Sequence, residues 1–151
     1  KSEGRFSHGE GELSDAASVL DWMQVYNPNA SQCWVAGFSF GAWIGMQLLM
    51  RRPELDGFIS ISPPANMYDF SFLAPCPVSG LIVQGDADQI VTKLSVDELV
   101  QKLSLQKNIV VEKKIIEGAD HFFTNKLDIL VRHVDNYLVT KAQGKKTSLR
   151  A

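Results

Sequence analysis

Residues 33–41, Cys33-Trp34-Val35-Ala36-Gly37-Phe38-Ser39-Phe40-Gly41, decide how this chain folds. The first six form a short apolar run without alternation, the pattern of a strand covered on both faces in a parallel sheet. The last five fit the spacing G-x-S-x-G, in which a serine sits at the tip of a sharp strand-to-helix turn. Flanking glycines suit such a turn because neighbouring backbone can approach where there is no β-carbon. A helix should therefore open after Ser39, and Phe40, Ile44 and Leu48 do share one helical face. Gly41, Ala42 and Gly45 are small enough to let that helix lie close to the sheet, and Arg51-Arg52-Pro53 ends it with cations where the macrodipole favours them. Ser39 is then a candidate nucleophile. Its bland reading is an ordinary turn, and five residues alone do not separate the two.

Upstream, Leu13, Ala16, Ala17, Leu20 and Met23 recur at helical spacing and stop at Asn27-Pro28-Asn29. The stretch before them, Lys1 to Glu12, is rich in glycine and charge without a hydrophobic period, and it reads like the middle of a longer protein. Downstream, Gly57 to Ser62 is a second strand, stopped by Pro63-Pro64. Residues 65–77 carry Met67, Tyr68, Phe70, Phe72 and Leu73 without clean periodicity, which suits either a packed connector or the wall of a ligand pocket. Ser79 to Gln84 is a third strand, followed by a helix bearing Val96, Leu99, Val100 and Leu103. Ile109 to Ile116 is a fourth, and Leu127, Leu130, Val131, Val134, Tyr137 and Leu138 mark a last helix. Strands alternating with helices imply an α/β fold, a three-layer sandwich with a mainly parallel sheet flanked by helices. One domain should cover residues 1–140. The polar segment 141–151, with Lys141, Lys145, Lys146 and Arg150, reads as a basic, disordered tail.

Composition narrows the function classes. A chain of 151 residues, 45% hydrophobic and 21% charged, has the balance of one soluble globular domain. Its net charge of -2 gives no broad positive field, so neither nucleic acid nor an anionic membrane surface is the expected partner. Cys33 and Cys76 lack the spacing of a zinc site or a C-x-x-C motif and read as buried thiols. Trp22, Trp34 and Trp43 read as packing groups. No signal-peptide pattern opens the chain, and no apolar run reaches the roughly 18 residues of a membrane span, which makes the cytoplasm the default location.

In an open parallel sheet the ligand crevice lies beyond the carboxyl ends of the strands. Polar residues stand there after three strands: Ser39, then Gly85-Asp86-Ala87-Asp88, then Gly118-Ala119-Asp120-His121. A serine, an acid and a histidine in this order supply a nucleophile, an orienting carboxylate and a base. Asp86 and Asp88 are both candidates for the acid, and one of the pair also fits as the N-cap of the following helix. Asp120 reads as a capping or loop residue.

With these elements in place, the chain resembles the α/β-hydrolase superfamily, and more narrowly small bacterial, cytoplasmic hydrolases related to dienelactone hydrolases. The stretches GRFSHGEGELSDAASVLDW, WVAGFSFGAWIGMQLLMRRPE, YDFSFLAPCP, GLIVQGDADQIV and GADHFF carry the resemblance. It implies a serine hydrolase that cleaves a small ester, thioester or related acyl substrate with a Ser39, His121 and Asp88 triad, Asp86 being the alternative acid. The backbone N–H of Phe40, the residue after the nucleophile, would be one oxyanion donor, and no metal or organic cofactor is implied. It also implies that the chain corresponds to the C-terminal part of the fold. The strands before it and the loop that gives the second oxyanion donor would be missing, and the exposed sheet edge would favour homo-oligomers. A non-catalytic binding or interaction module of the same fold is the second reading.

Overall fold

The computed structural model describes residues 3–148. Helix α1 spans Glu10–Tyr26, β1 Trp34–Phe38, α2 Phe40–Leu49, β2 Gly57–Ile61, β3 Gly80–Gly85, α3 Lys93–Ser104, β4 Val111–Ile116 and α4 Leu127–Ser148. The connector between β2 and β3 holds one short 3-10 turn, Ser71–Leu73. The strands lie in the order β1-β2-β3-β4, each parallel to its neighbour. Spatial order equals chain order, so the loops that leave all four strands open along one edge of the sheet. The expected α/β layering and parallel sheet are present.

Strand residues alternate between two cores, as a sheet covered on both faces requires. Phe58 and Ile82 face one side, where Leu20 of α1, Met46 and Leu49 of α2 and Val96, Leu99 and Leu103 of α3 bury them. Ile59, Leu81 and Val83 face the other, against Ile116, Phe123 and the α4 residues Leu130 and Tyr137. Phe58, Leu81, Ile82 and Val83 are fully enclosed. Burial of a side chain of this size stabilises the fold by about 1.5–3 kcal/mol. The two covered strands, β2 and β3, thus anchor the molecule, while β1 pairs only with β2 among the described residues.

Helix α1 starts earlier than its apolar stripe. Glu12 reaches back to accept the N–H groups of Ser7 and Gly9, both at 2.9 Å, and the Ser7 hydroxyl accepts the N–H of Gly11 at 2.8 Å. Those three bonds satisfy free donors at the helix start and extend it into the region that shows no hydrophobic period. Two further expectations are corrected. Trp22 is not a packing group but is 55% exposed, tilted on Tyr26 on the outer face of α1, and Cys33 is only half-buried. Helix α4 continues through the segment read as a disordered tail, as far as Ser148. Lysine, alanine and glutamine are good helix formers and no proline interrupts them; residues 149–151 of that tail lie outside the described residues. Among the described residues no helix is long and apolar enough to cross a membrane.

Candidate active site

The turn at Ser39 is built by close backbone contact. Ser39 adopts φ 51° and ψ -122°, a conformation that L-residues avoid and that costs about 1–3 kcal/mol. It is held from two sides, since its N–H donates to Ile61 O at 2.8 Å and its carbonyl accepts the N–H of Ala42 at 2.8 Å. A β-carbon on Gly37 would stand 2.2 Å from the carbonyl oxygen of Gly41, so glycine is obligatory at the first flank. At Gly41 an added β-carbon would meet open space, so the second glycine is not needed for packing here. Gly45 does let α2 approach the sheet, its would-be β-carbon lying 3.0 Å from Val35. The Phe40 N–H belongs to the first turn of α2, among the donors that a helix leaves free.

The acid and the histidine come from two loops that are sewn together. A β-carbon on Gly85, the last residue of β3, would sit 2.2 Å from Ala119 O, so only glycine allows this approach. The Ala87 N–H donates to Ala119 O at 3.1 Å, and the Gly118 N–H donates to Asp86 Oδ1 at 2.6 Å. Asp86 therefore serves as a tie between the loops and points to Gly118, not to the histidine. Asp88 Oδ1 accepts the N–H groups of Ile90 and Val91, both at 2.8 Å, and leaves Oδ2 facing His121 Nδ1 at 2.8 Å. His121 Nε2 lies 3.0 Å from Ser39 Oγ. Of the two candidate acids, the structure brings Asp88 to the histidine. Neither aspartate caps α3; that role falls to Thr92, which accepts the Ser95 N–H. Asp120 accepts the Thr124 N–H at 2.8 Å, the loop role expected of it.

Electrostatics fix the direction of the hydrogen-bond line. Burial alone would push the Asp88 carboxyl up, but the Val91 N–H, the His121 ring and the Ile90 N–H together hold it below the usual carboxylate range. An ionised carboxylate only accepts, so His121 must carry its proton on Nδ1. In the neutral form of the ring, the lone pair of Nε2 is then turned toward the Ser39 hydroxyl. His121 is 5% exposed, with Phe38 and Phe122 rings 5.0 and 5.2 Å from its own. On the other side of Ser39, the Phe40 ring meets Phe6, Trp43 and Tyr68 at 5.5–5.8 Å.

The connector at 65–77 is packed, and it also borders a cavity. Phe70 and Leu73 are buried in the core, while Tyr68, Phe70 and Leu73 also line a cavity of about 480 Å³ against Leu99 and Lys102 of α3. Ser39, Asp88 and His121 are not on that cavity. One residue of the site escaped sequence reasoning. Gln84, fully buried near the end of β3, donates from Nε2 to Asp88 Oδ2 at 3.1 Å. Its signal was an amide in an otherwise apolar strand, a group that cannot be buried without partners.

A parallel sheet with helices on both faces and this turn at the first strand end define an α/β hydrolase fold. Residues 5–148 match the Dienelactone hydrolase family, and the chain belongs to that family. It is 53% identical over 143 residues to the uncharacterized protein RP471 of Rickettsia prowazekii, an alignment covering 92% of this chain and 60% of the relative. Among solved structures it is similar to ATU1826 of Agrobacterium tumefaciens, a protein of unknown function, with a TM-score of 0.92, 57% identity, and 95% of this chain and 66% of that one covered. It is also similar to XC6422 of Xanthomonas campestris, described as a member of the a/b serine hydrolases without a lid. There the TM-score is 0.76 and the identity 36%, over 86% of this chain and 56% of the other. The chain thus spans about 60% of the length of its curated relative.

Proposed function

We propose that Ser39, His121 and Asp88 form the triad of a serine hydrolase acting on a small ester, thioester or related acyl compound. The observation that carries this reading is the unbroken line from Asp88 Oδ2 through His121 to Ser39 Oγ, with contacts of 2.8 and 3.0 Å. The description of XC6422 as a serine hydrolase agrees with it. In the first step Ser39 Oγ bonds to the acyl carbon, the carbonyl π pair moves to oxygen, and the hydroxyl proton passes to His121 Nε2. Collapse of the oxyanion breaks the bond to the leaving group, which takes that proton. Water then attacks the acyl-serine by the same route, with His121 again taking and returning a proton. Asp88 holds the imidazole in the required tautomer and stabilises the imidazolium. The Phe40 N–H faces the developing oxyanion; a second donor typically adds roughly 100- to 1,000-fold in rate, and we assign it to the part of the longer relatives that this chain does not span.

Beside His121, the exposed rings of Phe38, at the end of β1, and Phe122 stand 6.3 Å apart. That apolar rim favours neutral, apolar acyl or alcohol groups. The test is labelling of the full-length polypeptide with a fluorophosphonate probe. Wild type should label, and Ser39→Ala, which removes the nucleophile and should lower kcat about 10⁶-fold, should not. Absence of labelling in a folded, full-length wild type would leave the binding-module reading in its place.

A further inference from the structure

Gln84 stands at a place where a buried amide is hard to justify by packing. It lies in β3, between β2 and β4, with no exposed surface. Its Nε2 is within 3.0–3.1 Å of three acceptors, Gly85 O, Asp88 Oδ2 and Val91 O. Its Oε1, also buried, has no partner among the described residues. An amide nitrogen has two protons, so three acceptors already exceed its supply. Turning the amide over would set Oε1 against three oxygens, one of them on an ionised carboxylate, and its orientation is therefore settled by chemistry. An orphaned buried carbonyl costs free energy that an apolar side chain of the same size would not incur. The position keeps an expensive group, and that group points at the acid.

Asp88 has two oxygens with different tasks. Oδ1 is held by the Ile90 and Val91 N–H groups, and Oδ2 must stay on His121 Nδ1. Rotation about the last side-chain bond is broad for an aspartate and turns both oxygens together, so a donor on Oδ2 adds to the grip that the two N–H groups have on Oδ1 and resists twisting of the whole carboxylate. We propose that Gln84 is the positioning residue for the triad acid: its amide bridges Asp88 Oδ2 to the carbonyls at both ends of the Gly85–Val91 turn and keeps that oxygen on His121 Nδ1. The assignment rests on the hydrolase reading above.

The experiment uses the full-length polypeptide and Gln84→Met, which keeps length and volume but removes the donor. The labelling rate of Ser39 by a fluorophosphonate should fall about tenfold, equivalent to one hydrogen bond to a charged group lost from the transition state. With a chromogenic ester, kcat should fall by the same factor and KM should stay. In an Asp88→Ala background the same change should alter labelling less than about twofold, because a residue acting through Asp88 has nothing left to position. Equal losses in both backgrounds, or a lower melting temperature with kcat kept, would overturn the assignment in favour of a purely structural tie. Should Gln84→Met fail to fold, Gln84→Val, a stronger strand former, gives the same comparison. The low-field proton resonance of His121 Nδ1–H separates the two readings, since it needs the bond to Asp88 but no turnover. If wild type does not label, the hydrolase reading fails; an unmoved resonance in the variant then overturns the Gln84 role by itself.

Discussion

At the scale of single residues, the proposed chemistry depends on where Asp88 keeps its charge. Its side chain is enclosed, yet two backbone N–H groups and the His121 ring hold the carboxyl below its ordinary range. A carboxylate with a depressed folded-state pKa stabilises the fold above its unfolded value, about 3.9, and that contribution is lost as pH falls through the lower folded value. Asp88→Asn removes the titration, so its melting temperature should vary less than wild type between about pH 5 and pH 2. The measurement is a series of thermal melts across that window; parallel curves for the two proteins would show that Asp88 contributes nothing to acid sensitivity. The same variant should lose about 10⁴-fold in kcat, because an amide donor opposite Nδ1 favours the wrong imidazole tautomer. Activity that survives at a tenth of wild type would move the acid role elsewhere, and Asp86, engaged with Gly118, is placed too far into the loop tie to inherit it.

At the scale of elements, the site is assembled by loops meeting at strand ends, and the sequence made most of this visible. Apolar runs 33–38 and 79–84 and the helical stripes announced the parallel sheet. The polar residues just after the strands marked Ser39, Asp88 and His121, because in such a sheet only those positions face the crevice. What stayed hidden depends on contacts between segments distant in sequence. Gln84 looked like one more strand residue until its partners across the Gly85–Val91 turn were known. The start of α1 was hidden because Ser7 and Glu12, not an apolar period, set it. Gly85 belongs to the same group: spelled as the first letter of a turn motif, it is the point where β3 and the histidine loop touch. Gly85→Ala would place a β-carbon against Ala119 O, with backbone on the opposing side that cannot move as a side chain tip can. Overpacking of this kind costs roughly 1–3 kcal/mol. Chemical denaturation should show that loss, and the labelling rate of Ser39 should drop with it as Asp88 and His121 separate. An alanine variant with wild-type stability would mean that the two loops are not in fact clamped at this glycine.

At the scale of the whole molecule, β1 and β4 are both edge strands among the described residues, but β4 carries Glu112, Lys113 and Lys114 where β1 is apolar throughout. Cys33 O and Ser39 N both bond toward β2, so by alternation the N–H and C=O groups of Trp34, Ala36 and Phe38 point away from it. No strand pairs with that side among the described residues, and Ala36 and Phe38 are exposed. Phe38 and Phe122 stand 6.3 Å apart near the carboxyl end of β1, and elsewhere Val19, Trp22, Val25 and Tyr26 are exposed on α1. An unpaired apolar strand is a template for another strand. The isolated 151-residue chain is therefore expected to self-associate through β1, its apparent mass in sedimentation or light scattering rising with concentration. Ala36→Lys sets a charge in the middle of that strand on an exposed site, where lysine is the usual guard of a sheet edge. The substitution should hold the chain monomeric without lowering its melting temperature by more than a few degrees, since Ala36 buries no surface in either core. In a polypeptide long enough to span the relatives fully, the edge should instead be occupied by its own chain, and wild type should remain monomeric there at concentrations where the shorter chain associates. Association that persists in Ala36→Lys would place the contact on the outer face of α1, with Trp22 the first residue to change.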